Sequence, residues 1–88
     1  MSPAPIAPSD EALWQALRKA RTALAKEQGV PPYVVFHDTT LRELVRLKPL
    51  KREEMERIQG VGEHKLRRYG EVFLRVVREH FPAERDGE

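Results

Sequence analysis

Residues 30–36 read Val-Pro-Pro-Tyr-Val-Val-Phe, and this stretch divides the chain into two helical halves. Two consecutive prolines cannot continue a helix, because each lacks a backbone N–H donor, and Pro32 moves Pro31 away from the α region. The apolar run Val34-Val35-Phe36 would suit a strand, but the chain contains no second strand signal. We therefore predict a buried irregular or single-turn segment here, and no sheet.

Before this stretch, apolar residues at helical spacing predict a first helix from about Asp10 to about Gln28. Ser9 is a suitable N-cap residue, and Gly29 supplies the stop. Trp14 lies beside the apolar face. Four positions spaced by four, three and four residues form that face: Leu13, Leu17, Ala20 and Leu24.

After residue 36, the pattern predicts further helices joined by short loops. Asp38 or Thr40 caps a second helix, because Thr40-Leu41-Arg42-Glu43 matches a capping box, and Pro49 ends it. A short third helix covers about Arg52 to Gln59. Its inward residues are Met55 and Ile58.

Gly60-Val61-Gly62 ends the third helix sharply, and a last helical stretch follows. Gly70 interrupts this stretch and marks a bend or a close contact. The fold class is all-α, a compact orthogonal bundle of about five helices. We assign residues 1–8 to a flexible Pro-rich linker, 9–82 to the domain and 83–88 to a disordered tail. The last helix has apolar or aromatic positions at Leu66, Tyr69, Phe73, Val76, Val77 and His80 or Phe81.

Composition limits the function. The chain of 88 residues suffices for one domain, and it has no cysteine and no P-loop motif. His37, His64 and His80 lack metal-ligand spacing. We therefore expect no catalytic residue, no metal and no cofactor. No apolar run approaches the roughly 18 residues of a membrane span, so we interpret the chain as soluble and intracellular. We further expect it to be cytoplasmic and monomeric.

Charge is distributed unevenly along the chain. The net charge is +2, but between Ser9 and Pro82 there are 15 Lys and Arg residues against 11 Asp and Glu, which gives the predicted domain about +4. Such a modest positive charge is compatible with binding to nucleic acid but does not require it.

Three features are candidates for nucleic-acid binding. The Gly60-Val61-Gly62 turn resembles half of a helix-hairpin-helix element, in which glycines let the backbone approach a phosphate; otherwise it is a plain tight turn. Tyr33, held by two prolines, would stack on an unpaired base or pack on the domain. The basic residues would form one phosphate-binding patch or a solvated, ion-paired surface. The patch candidates are Arg18, Lys19, Arg21, Lys48, Lys51, Lys65, Arg67 and Arg68.

Taken together and in order, these residues resemble the HRDC domain, named after helicases and ribonuclease D. The resemblance covers about residues 9–81. It rests on Leu17-Arg18 and Arg21, on Val30–Phe36, on Asp38-Thr39-Thr40-Leu41, on Gly60–Leu66 and on Tyr69-Gly70. The intact Pro-Pro-Tyr-Val-Val-Phe is similar to bacterial RecQ sequences. One departure is Lys51, where the family often has Thr or Ser as the N-cap of the third helix.

The resemblance implies a five-helix fold and an auxiliary, non-catalytic domain of a RecQ-type ATP-dependent DNA helicase. The expected partner is single-stranded or partly duplex DNA, bound weakly while the rest of the helicase translocates. Two alternatives stay open: a protein-interaction module that docks on the helicase core or another partner, and the C-terminal domain of a ribonuclease D-type exonuclease that contacts RNA.

Overall fold

The computed structural model describes residues 6–80, and within that range the chain forms five α-helices and no strand. A single 3-10 turn, Pro8–Asp10, precedes them. The predicted all-α class is confirmed. The predicted tail, the start of the predicted linker and Phe81 lie outside the described residues. The helices are α1 (Glu11–Gln28), α2 (Pro32–Val35), α3 (Asp38–Leu47), α4 (Arg52–Glu56) and α5 (Gly62–Glu79).

Helix α1 ends as predicted but begins differently. Gly29 adopts a left-handed conformation with φ of 68°, and its N–H donates to the carbonyls of Ala25 and Lys26. Ser9 is not the N-cap: it lies inside the 3-10 turn, and Asp10 holds the N-cap position without a side-chain capping bond. The Asp10 carboxylate instead pairs with the Lys48 ammonium at 3.0 Å, so it joins the start of α1 to the end of α3.

The segment between α1 and α3 is the predicted single turn. Pro32 opens α2, as proline at the first helical position favours, and α2 ends after four residues at the extended Phe36. Val35 and Phe36 are fully buried. The Phe36 ring makes edge contacts with Phe73, centroids 5.0 Å apart, and with Tyr69, at 6.0 Å. This short turn therefore places its last residues at the centre of the core.

The predicted capping box at α3 is wrong. The helix begins at Asp38, and His37 holds the N-cap position without a side-chain capping bond. Thr40 lies inside the first turn, and its hydroxyl donates 3.1 Å to the carbonyl of Gln59. A tertiary hydrogen bond to the turn before α5 therefore replaces the local capping bond.

Helices α4 and α5 pack against each other along one side of the bundle. Helix α4 is shorter than predicted, but Met55 and Ile58 are buried as expected. Helix α5 continues through Gly70 without a break, and a Cβ at that position would meet the Leu66 side chain at 3.0 Å. Gly70 thus marks a close contact and not an interruption.

Two kinds of feature are absent from the described range, residues 6–80. None of its helices is long and apolar enough to cross a membrane. Within the same range, no group of three or more His, Asp or Glu side chains is arranged to hold a metal ion.

Candidate nucleic-acid interface

Tyr33 projects from α2 into solvent, with 58% of its surface exposed. Its ring stacks against His37, with centroids 5.7 Å apart and planes inclined by 27°. The preceding residue pair, Pro31 and Pro32, restricts the backbone that carries the ring. Tyr69 is the tyrosine that packs on the domain, since it is buried and its hydroxyl donates 2.9 Å to Gln28. Tyr33 therefore presents an accessible aromatic face on a restrained segment.

Two of the predicted cations on α5 lie beside the core aromatic rings. The Lys65 ammonium is 5.8 Å from the centroid of the Phe36 ring, and the Arg68 guanidinium is 5.7 Å from that of Tyr69. Because Phe36 directly follows α2, Lys65 lies beside the residue at the end of that helix. Neither cation has an ion pair with an acid in the part of the chain that the structure describes. We call Lys65 and Arg68 the α5 edge.

The outer face of α1 is a shallow groove with cations and without acids. Arg18 and Lys19, both predicted as phosphate contacts, lie in it, and Lys26 adds a third cation that the predicted site omitted. Its position off the apolar face of α1 was the only sequence signal for it. The groove is lined by Gln15, Arg18, Lys19, Thr22, Ala23 and Lys26.

Arg21 is placed where it cannot serve as an exposed phosphate contact. It is only 8% exposed, its guanidinium donates 2.9 Å to the carbonyl of Phe36, and it pairs with Asp38 at 2.8 Å. The sequence pattern put it among the surface cations because arginine is rarely buried. In the structure Arg21 connects α1 to α2 and α3, and it is not part of the exposed basic surface.

Three other predicted cations lie beside acidic side chains. Lys48 donates 2.9 Å to the carbonyl of Val45 in addition to its pair with Asp10. Arg67 pairs with Glu63 at 3.0 Å, one helical turn away. Lys51 lies in a cleft between α4 and α5 that holds as many acids as bases, the α4–α5 cleft. Its lining is Lys51, Arg52, Glu53, Glu56, Glu63, Leu66, Arg67, Glu71 and Arg78.

The two glycines of the predicted turn have different surroundings. Gly60 has φ of +94°, and a Cβ there would overlap the Thr40 hydroxyl. Gly62 has φ of +61°, opens α5 and has no heavy atom within 4 Å of a would-be Cβ. Glu63 follows in the first turn of α5, which disfavours an anion there. The turn therefore packs closely against Thr40 at Gly60, whereas the space beside Gly62 is open.

Sequence reasoning missed a second cleft, between the start of α3 and this turn, which we call the His37 cleft. Glu43, on one wall, accepts hydrogen bonds of 2.7 and 3.1 Å from Arg46, and this bond lowers the pKa of the Glu43 carboxyl. The sequence gives only a weak signal for this cleft, because its two walls come from segments some twenty residues apart. The cleft is lined by His37, Thr39, Thr40, Glu43, Gln59 and Gly60.

Comparisons with known proteins agree with this architecture. The HRDC domain model matches residues 10–77. The chain is 46% identical over 74 residues to the ATP-dependent DNA helicase RecQ of Bacillus subtilis, which is 84% of this chain and 12% of that protein. It is 44% identical over 69 residues to the ATP-dependent DNA helicase UvrD2 of Mycobacterium tuberculosis, 78% of this chain and 10% of that protein. The solved D. radiodurans RecQ HRDC domain 3 superposes with a TM-score of 0.79 at 33% identity, covering 83% of this chain and 96% of that one.

Fold and comparisons together define a small helical accessory domain, not a catalytic one. The chain belongs to the HRDC domain family. It spans about an eighth of the length of the RecQ proteins that it matches.

Proposed function

We propose that this chain is an auxiliary domain of a RecQ-type DNA helicase and that it binds single-stranded DNA weakly, with Tyr33 as the stacking residue. The observation that carries the proposal is the exposed ring of Tyr33 on a proline-restrained turn, with the Lys65 ammonium 5.8 Å from the ring of Phe36 at the end of that turn. Base–aromatic stacking is independent of sequence, and nearby cations would hold the phosphates. The relatives named above support a DNA helicase as the parent protein, and we further propose that it acts at the bacterial nucleoid.

The cations proposed to contact phosphate fall into two groups. The first is the α5 edge, Lys65 and Arg68. The second is the outer face of α1, with Arg18, Lys19 and Lys26. Within the described residues none of these cations has an ion pair with an acid, so a phosphate there would not have to displace a paired carboxylate. With so few contacts we expect a Kd of roughly 10⁻⁴–10⁻⁶ M at physiological salt.

An NMR titration with a short single-stranded oligonucleotide tests this function residue by residue. Shifts should concentrate on α2, on the α5 edge and on the outer face of α1, and they should weaken as salt rises. Shifts confined to the α4–α5 cleft, or no shifts at low salt, would contradict the proposal.

The second candidate function is docking on a protein, either the helicase core or another partner. The α4–α5 cleft favours it, because Arg52 pairs there with Glu71 at 3.4 Å and Arg67 with Glu63. Such balanced charge suits a polypeptide of mixed charge better than a polyanion. The full-length protein that contains this domain could also be of another type than RecQ. UvrD2-type helicases match at similar identity, whereas a ribonuclease D-type protein has no counterpart among the relatives named above.

A further inference from the structure

The His37 cleft begins where the stacked pair Tyr33–His37 ends, since the His37 ring belongs to both. Two of its lining residues are joined directly, because the Thr40 hydroxyl donates a hydrogen bond to the Gln59 carbonyl. Gly60 allows the two walls to approach, because it has no Cβ to collide with Thr40. A strand with one base on Tyr33 would therefore bring a neighbouring base to the mouth of this cleft.

The cleft presents polar groups that are free to bind. Across residues 6–80, the Gln59 side-chain amide and the Thr39 hydroxyl have no hydrogen-bond partner. Each Glu43 oxygen accepts one N–H from Arg46. A carboxylate oxygen has about two acceptor positions, so each retains capacity for another donor. The cleft thus combines one amide, which donates and accepts, with a carboxylate that only accepts.

This chemistry excludes phosphate and favours the edge of a base. The hydrogen bonds from Arg46 lower the pKa of Glu43, which favours the ionised carboxylate, and an ionised carboxylate has no proton to donate to a phosphate oxygen. A carboxylate accepts from the exocyclic amine of cytosine, and a glutamine amide pairs with adenine. Uracil and thymine have a carbonyl oxygen at the position of that amine, which would face the carboxylate.

We propose that the His37 cleft binds the edge of an unpaired nucleobase that carries an exocyclic amino group, through Glu43 and Gln59. The domain therefore discriminates among single strands, with oligo-dC preferred over oligo-dU. This inference rests on the proposed single-strand binding. It adds base selectivity to a surface on which stacking alone gives none.

The test compares the affinities of fluorescently labelled dC and dU oligonucleotides of equal length, measured by anisotropy at low salt. Cytosine has an amine at C4 and an unprotonated N3, whereas uracil has a carbonyl at C4 and an N–H at N3, so the two bases present different hydrogen-bonding edges. We expect dC to bind about 5-fold tighter, the lower end of the discrimination that such hydrogen bonds give. Glu43→Ala and Gln59→Ala should bring the dC/dU ratio close to one.

Glu53→Ala is the matched control, since Glu53 lies in the α4–α5 cleft and its removal changes the net charge as Glu43→Ala does. It should leave the ratio unchanged even if both affinities rise. Equal binding of dC and dU by the unmodified domain overturns the inference and leaves the proposed function intact, as does a preference that survives both substitutions. Failure to bind either oligonucleotide overturns the proposed function as well.

Discussion

The hydroxyl of Thr40 on α3 fills the space in which a Cβ at Gly60 would lie, and it donates 3.1 Å to the carbonyl of Gln59. Gly60 also has φ of +94°, a conformation that other residues rarely adopt. Two independent constraints therefore act on one glycine. The contact joins α3 to the turn that starts α5, and its residues line the His37 cleft.

Gly60→Ala should consequently destabilise the domain more than Gly62→Ala does. Both glycines have positive φ, and an L residue in that region costs about 1–2 kcal/mol. Only Gly60 has the additional overlap with Thr40, so we expect a destabilisation above about 2 kcal/mol there. Urea denaturation of the two variants measures the difference. In a Thr40→Ala background the cost of Gly60→Ala should fall, and a strictly additive double mutant would refute the steric explanation.

Arg21 should behave as a structural residue. Arg21→Met removes the hydrogen bond to the Phe36 carbonyl and the pair with Asp38, leaving a buried acceptor unsatisfied. We expect a decrease of about 2–3 kcal/mol in the free energy of unfolding. Asp38→Asn should cost less than about 1 kcal/mol, because the Asp38 side chain is 65% exposed. Denaturation curves and DNA titrations on the same samples check this; an Arg21→Met domain of unchanged stability that binds DNA less well would restore Arg21 to the interface.

The order of the helices followed from local signals in the sequence. The apolar spacing of α1, the stop at Gly29, the double proline and the break at Gly60 each act within a few residues of where they stand. Helix starts were less predictable. Ser9 and Thr40 both have side chains that can cap a helix. Ser9 instead lies within the 3-10 turn that begins at Pro8, and the Thr40 hydroxyl instead donates a tertiary hydrogen bond to Gln59.

The candidate site could be predicted only in part, because the sequence identifies the cations but does not show which acidic side chains lie close to each of them in the fold. The sequence predicts the same role, contact with phosphate, for Lys51 and for Lys65. In the structure one lines a cleft rich in glutamates, and the other lies over an aromatic ring. The burial of Arg21 depends on where α2 packs, which no local pattern specifies. The two prolines predict a restrained backbone at Tyr33, but the sequence leaves open whether its ring packs on the domain, and only the structure shows that the ring is exposed.

Lys51→Ser should stabilise the domain. Lys51 occupies the N-cap position of α4 in an extended conformation and makes no side-chain capping bond. Serine at such a position accepts a hydrogen bond from the first turn, and the gain over a non-capping residue is about 1 kcal/mol. Thermal unfolding should register a higher Tm, with Glu53→Ser as a control substitution inside the same helix. No gain in Tm over the parent would mean that the start of α4 does not limit stability.

The two tyrosines should separate binding from stability. Tyr33→Ala should weaken single-strand binding by about 1–3 kcal/mol, the contribution of one stacked base, and change stability by less than about 0.5 kcal/mol because the ring is exposed. Tyr69→Phe should do the reverse, because it removes only the partly buried hydrogen bond to Gln28, a cost of about 0.5–1.5 kcal/mol. If Tyr33→Ala binds DNA as the parent does while folded, Tyr33 has no stacking role.

The salt dependence of binding should distinguish cations that bind phosphate from those already neutralised. Removing one cation that binds a phosphate of a single strand should reduce the slope of log K against log salt by about 0.7. Lys65→Ala and Lys19→Ala should each give that reduction, since neither cation has an ion pair with an acid in the described range and the lining of the α1 groove contains no acid. Lys51→Ala and Arg67→Ala should leave the slope nearly unchanged, because the α4–α5 cleft supplies carboxylates to both.

Anisotropy titrations at four salt concentrations give the slopes, and all four variants remove the same single positive charge. A general reduction of long-range attraction would therefore affect them equally, whereas direct binding of phosphate would affect only the first two. Equal slopes in all four variants would show that the charge of the whole domain, and not a particular surface, attracts the strand.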